Sequence, residues 1–196
     1  MKVLITFLLA GSALVGAPIS RVTLLDAGAP PVYDGANYVG PYTIELNGRD
    51  VPALCIDFAD DSSVGDEWDV YVNALDRSLA KAYHPLARVK YEEEAYLYSM
   101  SVRPDADRIG IQHAAWAIFY QEYAADRDGA GWMERAEANY GSVDPGRFEI
   151  LSGVQAQAGA RKQEFLIGTA VPEPRLLQLL VGLATIGLAL LGRRRG

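Results

Sequence analysis

With 196 residues, half of them apolar, the chain can build one ordinary domain with a core of its own and still carry targeting segments at both ends. The formal net charge is −7, and between Pro18 and Val171 13 Lys and Arg face 24 Asp and Glu, a net of −11. Such a surface repels nucleic acid and anionic lipid, which excludes both as partners of the central region.

At the amino terminus Lys2 precedes an apolar run, Val3–Val15, closed by the small residues Gly16 and Ala17. This is the pattern of a secretory signal peptide over residues 1–17, removed by signal peptidase, and it is too short for a membrane span. A buried core helix is the alternative. Export makes the single cysteine, Cys55, a question, because it has no internal disulfide partner.

Residues 18–37 read as an irregular lead-in, its part Asp26–Asn37 being rich in Gly, Pro and Ala. Tyr38–Leu46 alternates, Asn47-Gly48 signals a hairpin, and Arg49–Phe58 returns. Along the return strand Leu54, Ile56 and Phe58 share one face, and Ala53, Cys55 and Asp57 the other, less greasy one. Asp60–Asp66 is an acidic loop, and Trp68–Leu75 a third strand. The acids Asp57, Asp60, Asp61, Asp66, Glu67 and Asp69 have no fixed ligand spacing and read as a solvated face.

Beyond Asp76 the spacing becomes helical. Leu79–Met100 predicts two helices broken near His84-Pro85, with Glu92-Glu93-Glu94 at an exposed helix start. Asp105 or Asp107 caps the next helix, which carries Gln112, Ala115, Trp116, Phe119 and Tyr123 on one stripe. A carboxamide on a buried stripe needs a partner, since leaving it unpaired costs about 1–3 kcal/mol. Asp126–Gly131 reads as a loop, Trp132–Tyr140 and Pro145–Gln163 as helices, and Glu164–Thr169 as a last strand. The fold class expected is α+β, an antiparallel sheet with a helical insertion, spanning residues 38–170.

Asp126, Asp128, Gly131 and Glu137 occupy positions 1, 3, 6 and 12 of an EF-hand pattern, with Ala130 departing from it at position 5. Calcium on Asp126, Asp128 and Glu137 is therefore one reading, and a plain acidic turn the other. His84 and His113 share no metal motif. The chain has no serine nucleophile elbow, phosphate loop, zinc motif or dinucleotide fingerprint, so a conventional enzyme is not expected, and neither is an organic cofactor.

Residues 171–196 contain Pro172-Glu173-Pro174, then an apolar run over Leu176–Leu191, then Arg193-Arg194-Arg195. At about 1.5 Å per residue the run nearly spans a bilayer, with the arginines on the cytoplasmic side. The order resembles the PEP-CTERM sorting signal of Gram-negative bacteria, from which Arg175 departs. The resemblance implies processing by an exosortase, transient anchoring by a transmembrane helix, and delivery to the cell surface or extracellular biofilm matrix. A permanent single-pass anchor is the alternative.

Leu54-Cys55-Ile56 and Ile111-Gln112-His113-Ala114-Ala115-Trp116 resemble the two short motifs of the thioester domains of bacterial surface adhesins, with Ile111 in place of a threonine. The resemblance implies that Cys55 sulfur is acylated by the Gln112 side chain with loss of ammonia. A surface amine or hydroxyl would then displace the thiolate in a single turnover. Trp116 and Phe119 would keep water off the bond, and His113 is a candidate base. Two function classes follow: a covalent adhesin, or a non-covalent structural or carbohydrate-binding matrix protein that meets exopolysaccharide. In the second, Cys55 is a half-buried free thiol and Gln112 bonds to backbone.

Overall fold

The computed structural model describes residues 19–28, 30–120, 127–154 and 161–169. Within them a barrel of six antiparallel strands carries three helices on its outside. The elements run β1 (Ile19–Asp26), β2 (Val32–Tyr33), β3 (Tyr38–Val39), β4 (Tyr42–Leu46), β5 (Arg49–Cys55), β6 (Glu67–Ala74), α1 (Arg88–Ser101), α2 (Arg108–Phe119), α3 (Arg127–Asn139), β7 (Phe148–Gly153) and β8 (Phe165–Gly168). The barrel order is β1-β4-β5-β8-β7-β6, closing back on β1, while β2 and β3 form a separate ribbon. The mixed α+β class expected from the sequence is present, and its helices are inserted between β6 and β7.

Alternation builds two cores. Val22, Leu24, Tyr42, Ile44, Ala53, Cys55, Trp68, Val70, Leu151, Phe165 and Ile167 fill the barrel. The opposite faces of the same strands give Leu54, Ile56, Phe148, Ile150 and Leu166 to a second core shared with the helices. A six-stranded barrel encloses little more than its own side chains, so its interior is packed. Cys55 therefore does not lie on a less greasy face: its face is the barrel interior.

The β4–β5 hairpin is as expected. Asn47 and Gly48 have φ of 53° and 75°, the left-handed pair that a two-residue turn matched to strand twist requires. Leu46 pairs with Arg49 and Tyr42 with Ala53. The last strand also falls where the sequence put it, and Glu67–Ala74 matches the third.

Four expectations are corrected. The lead-in is a strand over Ile19–Asp26, paired with both β4 and β6, so it closes the barrel. The helix expected over Pro145–Gln163 is a strand at Phe148–Gly153, paired with β6 and β8. Both faces of that strand are buried, and a run without alternation does not separate strand from helix. Between Leu79 and Met100 only α1 is helical, beginning at Arg88, past the break at Pro85. The loop expected over Asp126–Gly131 is helical from Arg127 onward.

Helix α2 is buried all round from Gly110 to Ile118, where one stripe was expected. It runs among the barrel, α1 and α3, and its small residues allow that. A Cβ on Gly129 of α3 would sit 3.0 Å from the Ala114 nitrogen. Asp107 caps α2, accepting from the Gly110 N–H at 3.1 Å, and its other oxygen accepts from the Trp132 indole at 2.8 Å.

Candidate functional site

Strand β5 ends at Cys55 and β4 begins at Tyr42, so the two meet at one end of the barrel. Helix α2 lies over that end. There Gln112, fully buried, donates from Nε2 to the Cys55 carbonyl oxygen at 2.6 Å. Its Oε1 accepts from the Gly40 N–H at 3.2 Å. A donor on one side and an acceptor on the other fix which way the amide points. The same N–H polarises the Gln112 carbonyl, as an oxyanion-hole donor does.

Cys55 is fully buried and its thiol donates to the Asp57 carbonyl oxygen at 3.2 Å. Burial pushes the thiol up to about 12, while hydrogen bonds with the Asp57 backbone and the Trp116 side chain pull the other way. The resting group is thus a thiol, and attack by sulfur needs a proton acceptor. Trp116 is 2% exposed and packs its ring against Phe58 at 5.2 Å. Phe119, expected as cover, instead stacks on His84 at 4.4 Å and packs on Tyr91 at 5.0 Å.

Sequence reasoning missed Gly40. A Cβ there would meet Gln112 Oε1 at 3.0 Å and the Tyr42 ring at 3.0 Å, so only glycine lets the backbone reach the carboxamide. Gly40→Ala should destabilise the domain by about 1–3 kcal/mol through overpacking, read as a lower urea midpoint with an unchanged slope.

His113, the candidate base, turns its ring to Asp34, with Nε2 2.9 Å from Oδ2, and stacks beside Trp116 at 5.9 Å. Asp34 is itself held by the Ala36 and Asn37 N–H groups at 2.8 and 2.6 Å. Desolvation would raise its carboxyl, but the hydrogen bonds from Asn37, His113 and Ala36 outweigh that and hold it below the usual range.

The acidic loop is not a plain solvated face. Asp57 is 1% exposed. Its Oδ1 accepts from the Tyr120 hydroxyl at 2.5 Å and the Ala59 N–H at 2.9 Å. Asp60 and Asp66 are each 2.5 Å from a cation, Arg161 and Lys162 respectively. Glu94, expected at an exposed helix start, is fully buried in the middle of α1. Glu137 is exposed on α3, Asp126 lies outside the described residues, and no cluster of three metal-ligating side chains occurs among the described ones. The sorting residues Pro172, Glu173, Pro174 and Arg193–Arg195 and the signal peptide also lie outside them, as does Tyr123. Among the described residues no helix is long and apolar enough to cross a membrane.

No family model, curated protein or solved structure matches the chain.

Proposed function

We propose that the chain is an exported bacterial surface protein whose central domain carries an internal Cys55–Gln112 thioester for covalent attachment. The observation that carries this reading is the fully buried Gln112 carboxamide, which donates to the backbone carbonyl of the fully buried Cys55 at one end of the barrel. The two residues are 57 positions apart, one on a strand and one on a helix. In the reaction the Cys55 sulfur attacks the Gln112 side-chain carbonyl carbon, the carbon–nitrogen bond breaks, and ammonia leaves with the thiol proton. An incoming amine or hydroxyl later displaces the sulfur and becomes joined to Gln112. Burial keeps water from the bond in the meantime.

The test is labelling. A fluorescent primary amine should attach to the wild-type domain in denaturant-resistant form and not to Cys55→Ala. Equal labelling of both proteins would sink the reading.

Export rests on the two termini: the apolar run after Lys2, and the ordered Pro-Glu-Pro, apolar and arginine segments. In this reading signal peptidase and an exosortase process the ends, and the protein reaches the surface or matrix of a Gram-negative cell. With a tag in the mature region, fractionation should place it outside the cytoplasm; stable cytosolic protein would contradict this.

A second reading has its own observation. An open groove of about 730 Å³ is lined by Tyr96, Asp50, Ser99, Asp144, Arg147 and Thr169, among others. A half-buried aromatic ring among carboxylates and a guanidinium is the kind of wall that takes a sugar. If the domain binds exopolysaccharide in a Tyr96-dependent way and is not labelled by amine, the non-covalent matrix role is the better description.

A further inference from the structure

The thioester reaction moves a proton from sulfur to nitrogen when the bond forms, and from the incoming amine to sulfur when it opens. Something buried must carry it, because the thiol is sealed from solvent. His113 has its Nε2 engaged by Asp34. Asp57 follows Cys55 by two positions, and its backbone oxygen accepts the thiol hydrogen bond at 3.2 Å. The Asp57 carboxyl is buried and its Oδ1 is pinned by the Tyr120 hydroxyl at 2.5 Å. Tyr120 follows α2, the helix that carries Gln112, and its N–H caps that helix on the Trp116 carbonyl at 2.9 Å. Asp57 thus meets the thiol through its backbone and, through its carboxyl, the residue that ends the helix bearing the carboxamide.

We propose that Asp57 is the proton carrier of the Cys55–Gln112 reaction and that Tyr120 is the positioning residue that orients it. The inference rests on the thioester reading. In formation the Asp57 carboxylate takes the thiol proton as sulfur attacks the carbonyl carbon. It then gives that proton to the departing nitrogen, which leaves as ammonia, and Asp57 ends as it began. In opening, Asp57 takes a proton from the attacking amine and returns it to sulfur as the carbon–sulfur bond breaks.

The electrostatics suit a carrier. Burial pushes the Asp57 carboxyl above the usual carboxylate range, while the Tyr120 hydrogen bond pulls it down. A carboxyl poised this way releases and accepts a proton more readily at neutral pH than an ordinary one. The titratable and charged groups that act on it are Tyr120 beyond α2, Asp60 in the following loop, Arg161 and Glu164 before β8, Tyr83 before α1, and Cys55 itself.

The experiment follows methylamine opening of the purified mature domain by intact mass and free thiol, across pH, in wild type, Asp57→Asn and Tyr120→Phe. Asp57→Asn should lose its ammonia at least about 100-fold more slowly than wild type after refolding, and whatever bond has formed should open with methylamine slowed to the same degree, the usual worth of a positioned acid–base group. Thermal melting confirms that it is folded. Tyr120→Phe removes a hydrogen bond that favours the ionised carboxylate, so the midpoint of its pH–rate profile should move to higher pH. A purely structural role would not move that midpoint. If wild type has lost ammonia but Asp57→Asn opens at the wild-type rate, or the Tyr120→Phe midpoint stays in place, the carrier is overturned and the thioester stands. If wild type has lost no ammonia, the thioester reading fails and the carrier with it.

Discussion

The purified mature domain should weigh one ammonia less than its sequence, and Cys55→Ala should carry the full mass. The expectation follows from the seating of Gln112. Its amide is held by the Cys55 carbonyl on one side and the Gly40 N–H on the other, inside a fully buried site. The carbonyl carbon is thus polarised and water is kept out. In denaturant the wild-type thiol should resist alkylation until methylamine opens the bond, after which one thiol appears and one methylamine is gained. Gln112→Ala should show a free thiol and no gain. The bond also closes a loop of 57 residues, which restricts the unfolded chain. By analogy with disulfides the closed form should be more stable than Cys55→Ala by about 2–4 kcal/mol, measured by denaturant melts before and after methylamine. A native mass equal to the sequence, with Cys55 freely alkylated in denaturant, would reduce the site to a buried thiol beside a backbone-bonded glutamine.

The parts of this arrangement that were legible in the sequence are those written locally. Asn47-Gly48 names its own turn, because few other pairs adopt two left-handed residues in succession. Asp107 names a helix start, and the Cys55 and Gln112 motifs are short strings. What could not be read is closure. Ile19–Asp26 lies between the apolar terminal run and a Gly- and Pro-rich stretch, and the strands that pair with it, β4 and β6, come later in the chain. Phe148–Gly153 is buried on both faces, with Glu149 on one and Ser152 on the other, so polarity along it does not mark a strand. Once the barrel closes, the face holding Ala53 and Cys55 stops being the poorer one and becomes an interior.

The buried acids show the same limit. Glu92-Glu93-Glu94 reads as one solvated cluster, yet Glu94 is fully buried, since the turn that leaves its neighbours half-buried aims it inward with Tyr91, Ala95 and Tyr98. Glu164 reads as the polar edge of a strand, yet it is 1% exposed and takes three donors: the Tyr83 N–H at 2.8 Å, the Ser152 hydroxyl at 2.5 Å and the Tyr91 hydroxyl at 2.7 Å. A charge pattern gives the sign of a residue and not the environment that tertiary packing supplies. Gly40 was illegible for a related reason: its value lies in the atom it lacks beside a residue 72 positions away.

Those acids set the second large effect, an acid-strengthened fold. Desolvation raises Glu164 from the ordinary carboxyl value of 4.5 to about 7, against the pull of its Ser152, Tyr83 and Tyr91 hydrogen bonds. Glu94 is pushed well above the ordinary range by burial and by the nearby Glu93 and Glu164 charges, and Asp57 is raised by burial as well. For a carboxyl raised on folding, the folded state holds the proton more tightly than the unfolded one. Its contribution is fully present below the unfolded value near 4.5 and is lost as pH rises through about 7. At about 1.4 kcal/mol per unit, Glu164 alone should cost roughly 3 kcal/mol across that window. His84 opposes this: burial, then the Lys90 and Arg161 charges, lower it, so its share is lost on acidification. It is one partly exposed ring against several buried acids. The low-lying Asp34 and Asp66 lose their contributions only as pH falls below their ordinary value of 3.8, outside the window. Guanidinium melts at pH 5, 6 and 7.5 should therefore give the highest midpoint at pH 5. Glu164→Gln keeps the side-chain volume and removes the ionisation, so the slope should become shallower, and adding Glu94→Gln should flatten it further. A midpoint that falls from pH 7.5 to 5 in wild type, or a slope untouched by Glu164→Gln, would mean that these carboxyls are solvated in the folded protein and do not stabilise it through their buried protons.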